Sequence, residues 1–181
     1  DSEQSIADGI SVKKIGKLNF EIIRKFVDDV VLVEEDQIAA AVLLLLERKK
    51  ILAEGAGAVS LAALLSGLIT IPQGSKVVLL ISGGNVDSPL LGRIITQGLL
   101  ENSRIMRIRV RLDDTPGSLA KLLALISDQK ANVLHIFHDR NVKDLPIYIT
   151  RVDLELETRG TAHVDEISEG LNTAGYALEL R

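Results

Sequence analysis

Ser82-Gly83-Gly84-Asn85 is the segment whose residue types best suit ligand chemistry. It follows residues 76–81, a continuous run of valine, leucine and isoleucine that predicts a strand covered on both faces. Proteins with α/β folds place ligands at the carboxyl ends of such strands. A serine hydroxyl and an asparagine amide can hydrogen-bond a ligand there, and glycines let the backbone approach it closely. A plain glycine-rich turn is the alternative reading.

A second candidate is the segment from Asp114 to Ser118, which reads Asp-Thr-Pro-Gly-Ser and predicts the start of a helix. Its threonine suits the N-cap and its proline the first helical position. The amides of Gly117 and Ser118, at the positive end of that helix, could bind a carboxylate, with Asp114 or Asn132 receiving an ammonium group. A helix cap without a ligand is the alternative.

Two rows of charged side chains predict ion pairs between strands. Arginines alternate with apolar residues over 104–111, and acidic residues alternate in the same way over 153–157. Cross-strand pairing explains both rows better than a phosphate-binding stripe does. His135 and His138 lie on one predicted strand and point to opposite faces, which disfavours a metal site made from both.

The composition excludes several classes of function. The 181 residues contain no cysteine, which excludes disulfides, thiolate zinc sites and cysteine nucleophiles. The net charge of -4 and the aromatic content of 3% disfavour nucleic acids and acidic membranes as partners. The absence of cysteine fits a reducing, cytoplasmic setting, and because no long apolar run or export signal is found we expect a soluble protein.

Residues 1–102 alternate predicted strands and helices, as α/β folds do. The predicted strands cover 30–33 and 76–81, and the predicted helices cover about 35–46, 55–65 and 88–100. The pattern predicts a parallel sheet with helices packed on it.

Residues 103–181 have a different rhythm and predict a second domain. Alternating apolar residues over 104–112 and 147–156 predict half-exposed strands, and two shorter strands are predicted at 133–138 and 176–180. Helices are predicted after residue 115 and over about 162–173. The order βαββαβ predicts a ferredoxin-like antiparallel sheet with two helices on one face.

The second half resembles the ACT domain, an amino-acid-sensing module of metabolic enzymes. The resemblance rests on the segment from Asp114 to Leu119, on Ala131-Asn132-Val133-Leu134 and on the βαββαβ order. It implies an amino-acid effector bound near Asp114, Gly117, Ser118 and Asn132, and a homo-oligomer that forms through paired ACT domains.

The first half resembles the C-terminal part of the fold-type II pyridoxal-phosphate lyases, in particular the threonine (serine) dehydratases. Four segments carry this resemblance: Ser5-Ile6-Ala7-Asp8-Gly9, Val30-Val31-Leu32-Val33, Glu54-Gly55-Ala56-Gly57-Ala58 and Ser82-Gly83-Gly84-Asn85. It implies pyridoxal 5'-phosphate as cofactor, Ser82 at its pyridine nitrogen, and Gly9, Glu54, Gly83, Gly84 and Asn85 beside it. For Glu54 a carboxylate that only stabilises a helix N-terminus is the alternative.

The catalytic lysine of that family and its phosphate-binding glycine loop are not found in these residues. None of the ten lysines has the family's Ser-Phe-Lys context, so we predict no catalytic residue in this chain and no turnover by it alone. The chain begins at Asp1 without a methionine, so we expect it to be part of a longer protein.

The resulting prediction is part of a threonine ammonia-lyase, which converts threonine to 2-oxobutanoate and ammonia, joined to an ACT domain for allosteric amino-acid sensing. A non-catalytic module that binds amino acids or drives oligomerisation remains the alternative. The expected partners are an amino-acid substrate, an amino-acid effector and further copies of the chain.

Overall fold

The computed structural model describes residues 5–181 of the chain. They form two compact units, which divide between Gly98 and Leu99. No helix in residues 5–181 is both long and apolar enough to span a membrane.

The first unit is built from helices and extended connections. The helices are α1 (Lys17–Phe26), α2 (Glu35–Leu44), α3 (Gly55–Leu65) and most of α4 (Ser88–Glu101), whose last residues follow the boundary after Gly98. A single 3-10 turn covers Asp8–Ile10, and a π-helical turn, Leu45–Lys49, follows α2. The structure confirms the three predicted helices. It adds α1, which the sequence analysis missed although Leu18, Ile22 and Phe26 have the spacing of one helical face.

Helices α2 and α3 pack together in the core of the first unit. Their buried side chains include Ile38, Val42, Ala58 and Ala62. The Glu34 side chain accepts a hydrogen bond from the Gln37 amide, and the Gln37 side chain accepts one from the Glu34 amide, so a capping box starts α2. Small residues along α3 allow the close helix packing that this core requires.

The parallel sheet predicted for the first half is wrong for the described residues. Residues 30–33 and 76–81 form neither a helix nor a strand, and neither segment is paired in a sheet. Leu32 is 85% exposed and Val78 is 92% exposed, whereas a covered strand would bury both. A strand exists only beside a neighbour that accepts and donates its backbone hydrogen bonds, and residues 5–181 supply none there. The four-stranded sheet of this α/β structure lies wholly in the second unit.

The second unit has the predicted βαββαβ order. Its elements are β1 (Ile105–Asp113), α5 (Ser118–Asp128), β2 (Asn132–Asp139), β3 (Ile149–Glu157), α6 (Thr161–Thr173) and β4 (Leu178–Leu180). The strands pair in the order β2-β3-β1-β4 and every pairing is antiparallel.

Alternation along β1 and β3 separates the sheet into two faces. One face packs against α5 and α6 in a core that includes Ile108, Val110, Leu122, Leu156 and Ile167, each 1% exposed or less. The other face carries the charged rows and is called the open face below.

The open face confirms the predicted cross-strand ion pairs at two positions. Arg107 lies opposite Glu155 and Arg109 lies opposite Asp153 in the β1–β3 register. Their side chains are joined at 2.7 and 2.6 Å. Arg111 differs, because Arg151 is its direct neighbour on β3.

The predicted start of α5 was wrong by two residues. The helix begins at Ser118, and Gly117 precedes it as N-cap with a φ of 89°. This left-handed conformation interrupts helical geometry, so Pro116 cannot be the first helical residue and Thr115 cannot be the N-cap. The Thr115 hydroxyl instead hydrogen-bonds the hydroxyl of Ser118 at 2.8 Å.

Candidate functional site

In the first unit, Glu54 joins the start of α3 to the glycine loop at 82–85. The Glu54 amide donates to the carbonyl oxygen of Gly83 at 3.3 Å. Its side-chain Oε2 accepts the amide of Asn85 at 3.2 Å. One residue thus holds the loop with both its backbone and its side chain.

Glycines at three positions make this close approach possible. A Cβ on Gly57 would overlap the carbonyl oxygen of Ser82, and a Cβ on Gly83 would overlap the carboxylate of Glu54. Gly83 also has a φ of 74°, which disfavours any side chain. A Cβ on Gly9 would lie 3.4 Å from Glu54 Oε1. The structure therefore brings together three separate segments that carry the family resemblance: Gly9, the segment with Glu54 and Gly57, and the 82–85 loop.

A cavity of about 430 Å³ opens beside this cluster. It is lined by Ile6, Asp8, Glu54, Gly55, Asn85, Val86, Asp87, Ser88 and Leu90. Ser82 is exposed on the adjoining loop and does not line this cavity. Although three acidic residues line it, no group of three or more acidic or histidine side chains in residues 5–181 is arranged to hold a metal ion.

In the second unit, a cavity of about 380 Å³ lies where β1 ends and α5 begins. Its lining comprises Leu112, Asp113, Asp114, Thr115, Pro116, Gly117, Ser118, Leu119, His138, Arg140 and Thr150. Three predicted effector residues, Asp114, Gly117 and Ser118, are therefore neighbours in one cavity. Leucine and proline side chains provide an apolar wall opposite the charged groups.

Arg140 binds the carboxylate of Asp114 with two arms. Arg140 Nε donates to Oδ1 at 2.9 Å and Arg140 Nη2 donates to Oδ2 at 2.8 Å. These hydrogen bonds, with the positive charge of Arg140, lower the pKa of Asp114 below its usual value. Asp114 is therefore a paired carboxylate and not a free one.

The amides at the start of α5 only partly match the prediction. The Ser118 amide donates to the carbonyl oxygen of Thr115 at 3.2 Å, so it is not free to bind a carboxylate. Within residues 5–181, the amides of Gly117, Leu119 and Ala120 have no backbone acceptor. The N-terminal end of α5 thus keeps free amide donors, but they belong to Gly117, Leu119 and Ala120, whereas the sequence predicted Gly117 and Ser118.

Asn132 does not lie at this cavity. It begins β2, whereas His138 at the other end of β2 lines the cavity. Six residues of strand separate them by about 20 Å. The Asn132 side chain instead donates to Glu157 Oε2 at 3.4 Å. Including Asn132 among the effector residues was therefore wrong for this cavity.

The sequence analysis missed His138 and Arg140 as lining residues. No local pattern in the sequence shows what faces the His138-Asp139-Arg140 segment. The one sequence feature that could have indicated His138 and Arg140 is their position as hydrophilic residues at the end of a predicted strand, where the turn at Asp114 could pack against them.

Comparison with known proteins gives a consistent set of relatives. Residues 1–83 match the family described as pyridoxal-phosphate dependent enzyme. The L-threonine ammonia-lyase of Geobacter sulfurreducens is 49% identical over 176 residues, which are 97% of this chain and 44% of that protein. The L-threonine ammonia-lyase of Thermotoga maritima is 44% identical over 180 residues, or 99% of this chain and 44% of that protein.

A shorter match comes from the L-threonine dehydratase catabolic TdcB of Escherichia coli. It is 47% identical over 91 residues, which are 50% of this chain and 28% of that protein. The chain spans less than half the length of each of these curated relatives.

Proposed function

We propose that the chain is part of a pyridoxal-phosphate-dependent threonine dehydratase, in which it supplies one side of the active site of an L-threonine ammonia-lyase and a regulatory domain for it. The reaction would convert threonine to 2-oxobutanoate and ammonia. Residues 1–102 would be the lyase part and residues 103–181 an ACT domain. The observation that carries this proposal is the convergence of Gly9, Glu54 and the 82–85 loop at the start of α3.

The residues of this cluster fit pyridoxal phosphate. The loop at 82–85 is exposed and carries a hydroxyl at Ser82 and an amide at Asn85, groups that hydrogen-bond a neutral heterocycle. A Cβ on Gly83 would meet the Glu54 carboxylate and one on Gly84 would meet the carbonyl oxygen of Leu52, so these glycines let the loop pack closely and leave its exposed side for a flat ring. When bound, the cofactor withdraws electrons from the α-carbon of the amino acid.

Ser82, Glu54 and Gly9 would each have a separate role at this site. The Ser82 hydroxyl would hydrogen-bond the pyridine nitrogen, and because serine is neutral it would not hold that nitrogen protonated. Glu54 would keep the loop in place through its bonds to Gly83 and Asn85. Gly9 would leave room on the other side of Glu54.

A chimeric enzyme tests the lyase proposal. The matching 44% of the Geobacter sulfurreducens relative is replaced by this chain, and keto-acid formation from L-threonine is measured with pyridoxal phosphate present. We expect activity, and we expect Ser82→Ala to reduce kcat at least tenfold. Ser66→Ala is the matched control, since the Ser66 hydroxyl only donates to the carbonyl oxygen of Ala62. A chimera that folds and binds the cofactor but is unaffected by Ser82→Ala contradicts the role of Ser82.

The cavity at the start of α5 supports amino-acid sensing by the second unit. The free amides of Gly117 and Leu119 would bind the α-carboxylate, and Asp114 would bind the ammonium group. The wall formed by Leu112, Pro116 and Leu119 suits a small aliphatic side chain. Binding there would shift the equilibrium between two arrangements of the enzyme and so change its affinity for substrate.

Titration calorimetry of the 181-residue chain with valine, isoleucine, serine and threonine tests this sensing role. We expect at least one of these amino acids to bind. Gly117→Val should abolish binding, because valine at a φ of 89° is strained and its side chain covers the amides. Binding that persists in a folded Gly117→Val variant would show that the amino acid does not bind in this cavity.

The exposed edge of β2 supports self-association through the second unit. Over residues 132–138 this edge has no lysine, arginine, aspartate, glutamate or proline, the residues that usually protect an edge strand. Ile136 and Phe137 are 43% and 64% exposed. A second copy could pair with this edge. We expect Ile136→Lys to lower the mass measured by light scattering, whereas Leu180→Lys on the short edge strand β4 should not.

The alternative function is an amino-acid-binding module without catalysis. The cavity at the start of α5, called the effector cavity below, favours this alternative. All of its lining residues belong to the second unit, so binding there needs no residue of the lyase part. The chain alone, given pyridoxal phosphate and threonine, should form no keto acid under either function. If the chimera also fails while valine still binds the chain, the module is the better description.

A further inference from the structure

Asp114 and Arg140 form an ion pair at the mouth of the effector cavity. The guanidinium group contacts both carboxylate oxygens, at 2.8 to 3.1 Å. The Asp114 side chain is 24% exposed, and the Arg140 side chain is 65% exposed. The acid is thus fixed in the cavity wall, while its partner sits on a long side chain with freedom to turn into solvent.

This ion pair conflicts with the simplest form of ammonium binding. Arg140 donates to both oxygens of Asp114, so an incoming ammonium group competes with the guanidinium for the same carboxylate. Asp113 also lines the cavity, but strand alternation directs it toward the open face. The contact with Arg140 therefore opposes the binding of an amine at Asp114.

We propose that Arg140 is a gate on the effector cavity, which closes over Asp114 and is displaced by the ammonium group of an incoming amino acid. This inference rests on the proposed sensing function and assigns a regulatory role to a residue outside the predicted site. In the open state, the free amides of Gly117 and Leu119 receive the carboxylate and Arg140 turns into solvent.

Exchange at Asp114 replaces one cation by another on the same carboxylate. The charge balance of the cavity wall is unchanged, and the released guanidinium regains water because its side chain is already largely exposed. An exposed ion pair of this kind opposes binding by a factor of up to about five. Removing Arg140 should therefore strengthen binding, whereas the loss of an arginine that held the ligand carboxylate would weaken it.

Titration calorimetry with two probes tests the gate on the full 181-residue chain. L-Valinamide carries the ammonium group without a carboxylate, and L-valine carries both. We expect Arg140→Gln to tighten the binding of both probes, valinamide by about fivefold. Arg140→Lys should give an intermediate value, since lysine cannot make the two-armed contact. Asp114→Asn should abolish valinamide binding.

Arg107→Gln is the matched control, because it removes the same charge and an ion pair of similar length on the open face. It should leave both affinities unchanged. Weaker or equal valinamide binding in a folded Arg140→Gln variant overturns the gate, and so does weaker valine binding, which would make Arg140 a carboxylate receptor. If valine binds neither protein while valinamide still binds Arg140→Gln more tightly, the gate stands and amino-acid sensing fails.

Discussion

Arg109 and Asp153 form a two-armed ion pair at the centre of the open face. Arg109 Nε donates to Oδ1 at 2.6 Å, and Arg109 Nη2 donates to Oδ2 at 2.7 Å. The two residues are direct partners in the β1–β3 register. The pair therefore joins the two central strands through side chains as well as through the backbone.

Asp153→Asn should lower stability in a pH-dependent way. The hydrogen bonds and charge of Arg109 lower the pKa of Asp153, so the folded state favours the ionised carboxylate. That stabilisation is complete above the ordinary pKa of aspartate and is lost as pH falls through the lowered value. Thermal unfolding should show a melting temperature lower by a few degrees at pH 7 and no difference in strong acid. Glu169→Gln is the control, and an equal difference at every pH would contradict the prediction.

Arg111→Glu should stabilise the second unit. Arg111 and Arg151 are direct cross-strand partners, and like charges at this position repel each other. Arg151 Nε is also buried without a hydrogen-bond partner in residues 5–181, and a glutamate opposite it could accept that bond. Denaturant unfolding should show a gain of about 0.2–1 kcal/mol. The gain should shrink at high salt, since salt screens charges; a gain that does not depend on salt would refute the electrostatic reason.

Lys130→Gly should also stabilise the second unit. Lys130 follows α5 with a φ of 63°, a conformation that costs a residue with a Cβ about 1 kcal/mol. Part of the gain is offset because glycine is more flexible when unfolded, so we expect about 0.5 kcal/mol. Gly175→Ala is the reverse control, since Gly175 has a φ of 88° and open space around it. Alanine there should destabilise, and stabilisation by both changes would show that φ is not the cause.

Gly57→Ala and Gly92→Ala should have opposite effects on the first unit. An alanine Cβ at position 57 meets the carbonyl oxygen of Ser82, so α3 and the 82–85 loop must separate. We expect a loss of more than about 2 kcal/mol in denaturant unfolding. Gly92 lies in α4 with nothing within 4 Å of its Cβ position, so alanine should stabilise by about 0.5–1 kcal/mol. Equal effects at the two positions would rule out close packing at Ser82.

Local patterns in the sequence were enough to predict much of the second unit. Apolar residues at every second position over 104–112 predicted β1 and its charged open face, because strand side chains alternate between faces wherever the strand is placed. The same rule predicted the acidic partners on β3, and two were confirmed. The order of the family motifs likewise identified Glu54 and the 82–85 loop as site residues, and the structure shows that they are in contact.

Other features depended on which segments meet in space. The apolar runs at 30–33 and 76–81 have strand composition, yet they are unpaired, because hydrogen bonds between strands need a neighbour that composition cannot supply. Asn132 and Arg140 lie near opposite ends of one strand, and the pairing of β3 with both β1 and β2 decided that Arg140, and not Asn132, reaches Asp114. Periodicity of side chains is a local property and is written in the sequence, whereas contacts between distant residues depend on how whole elements pack.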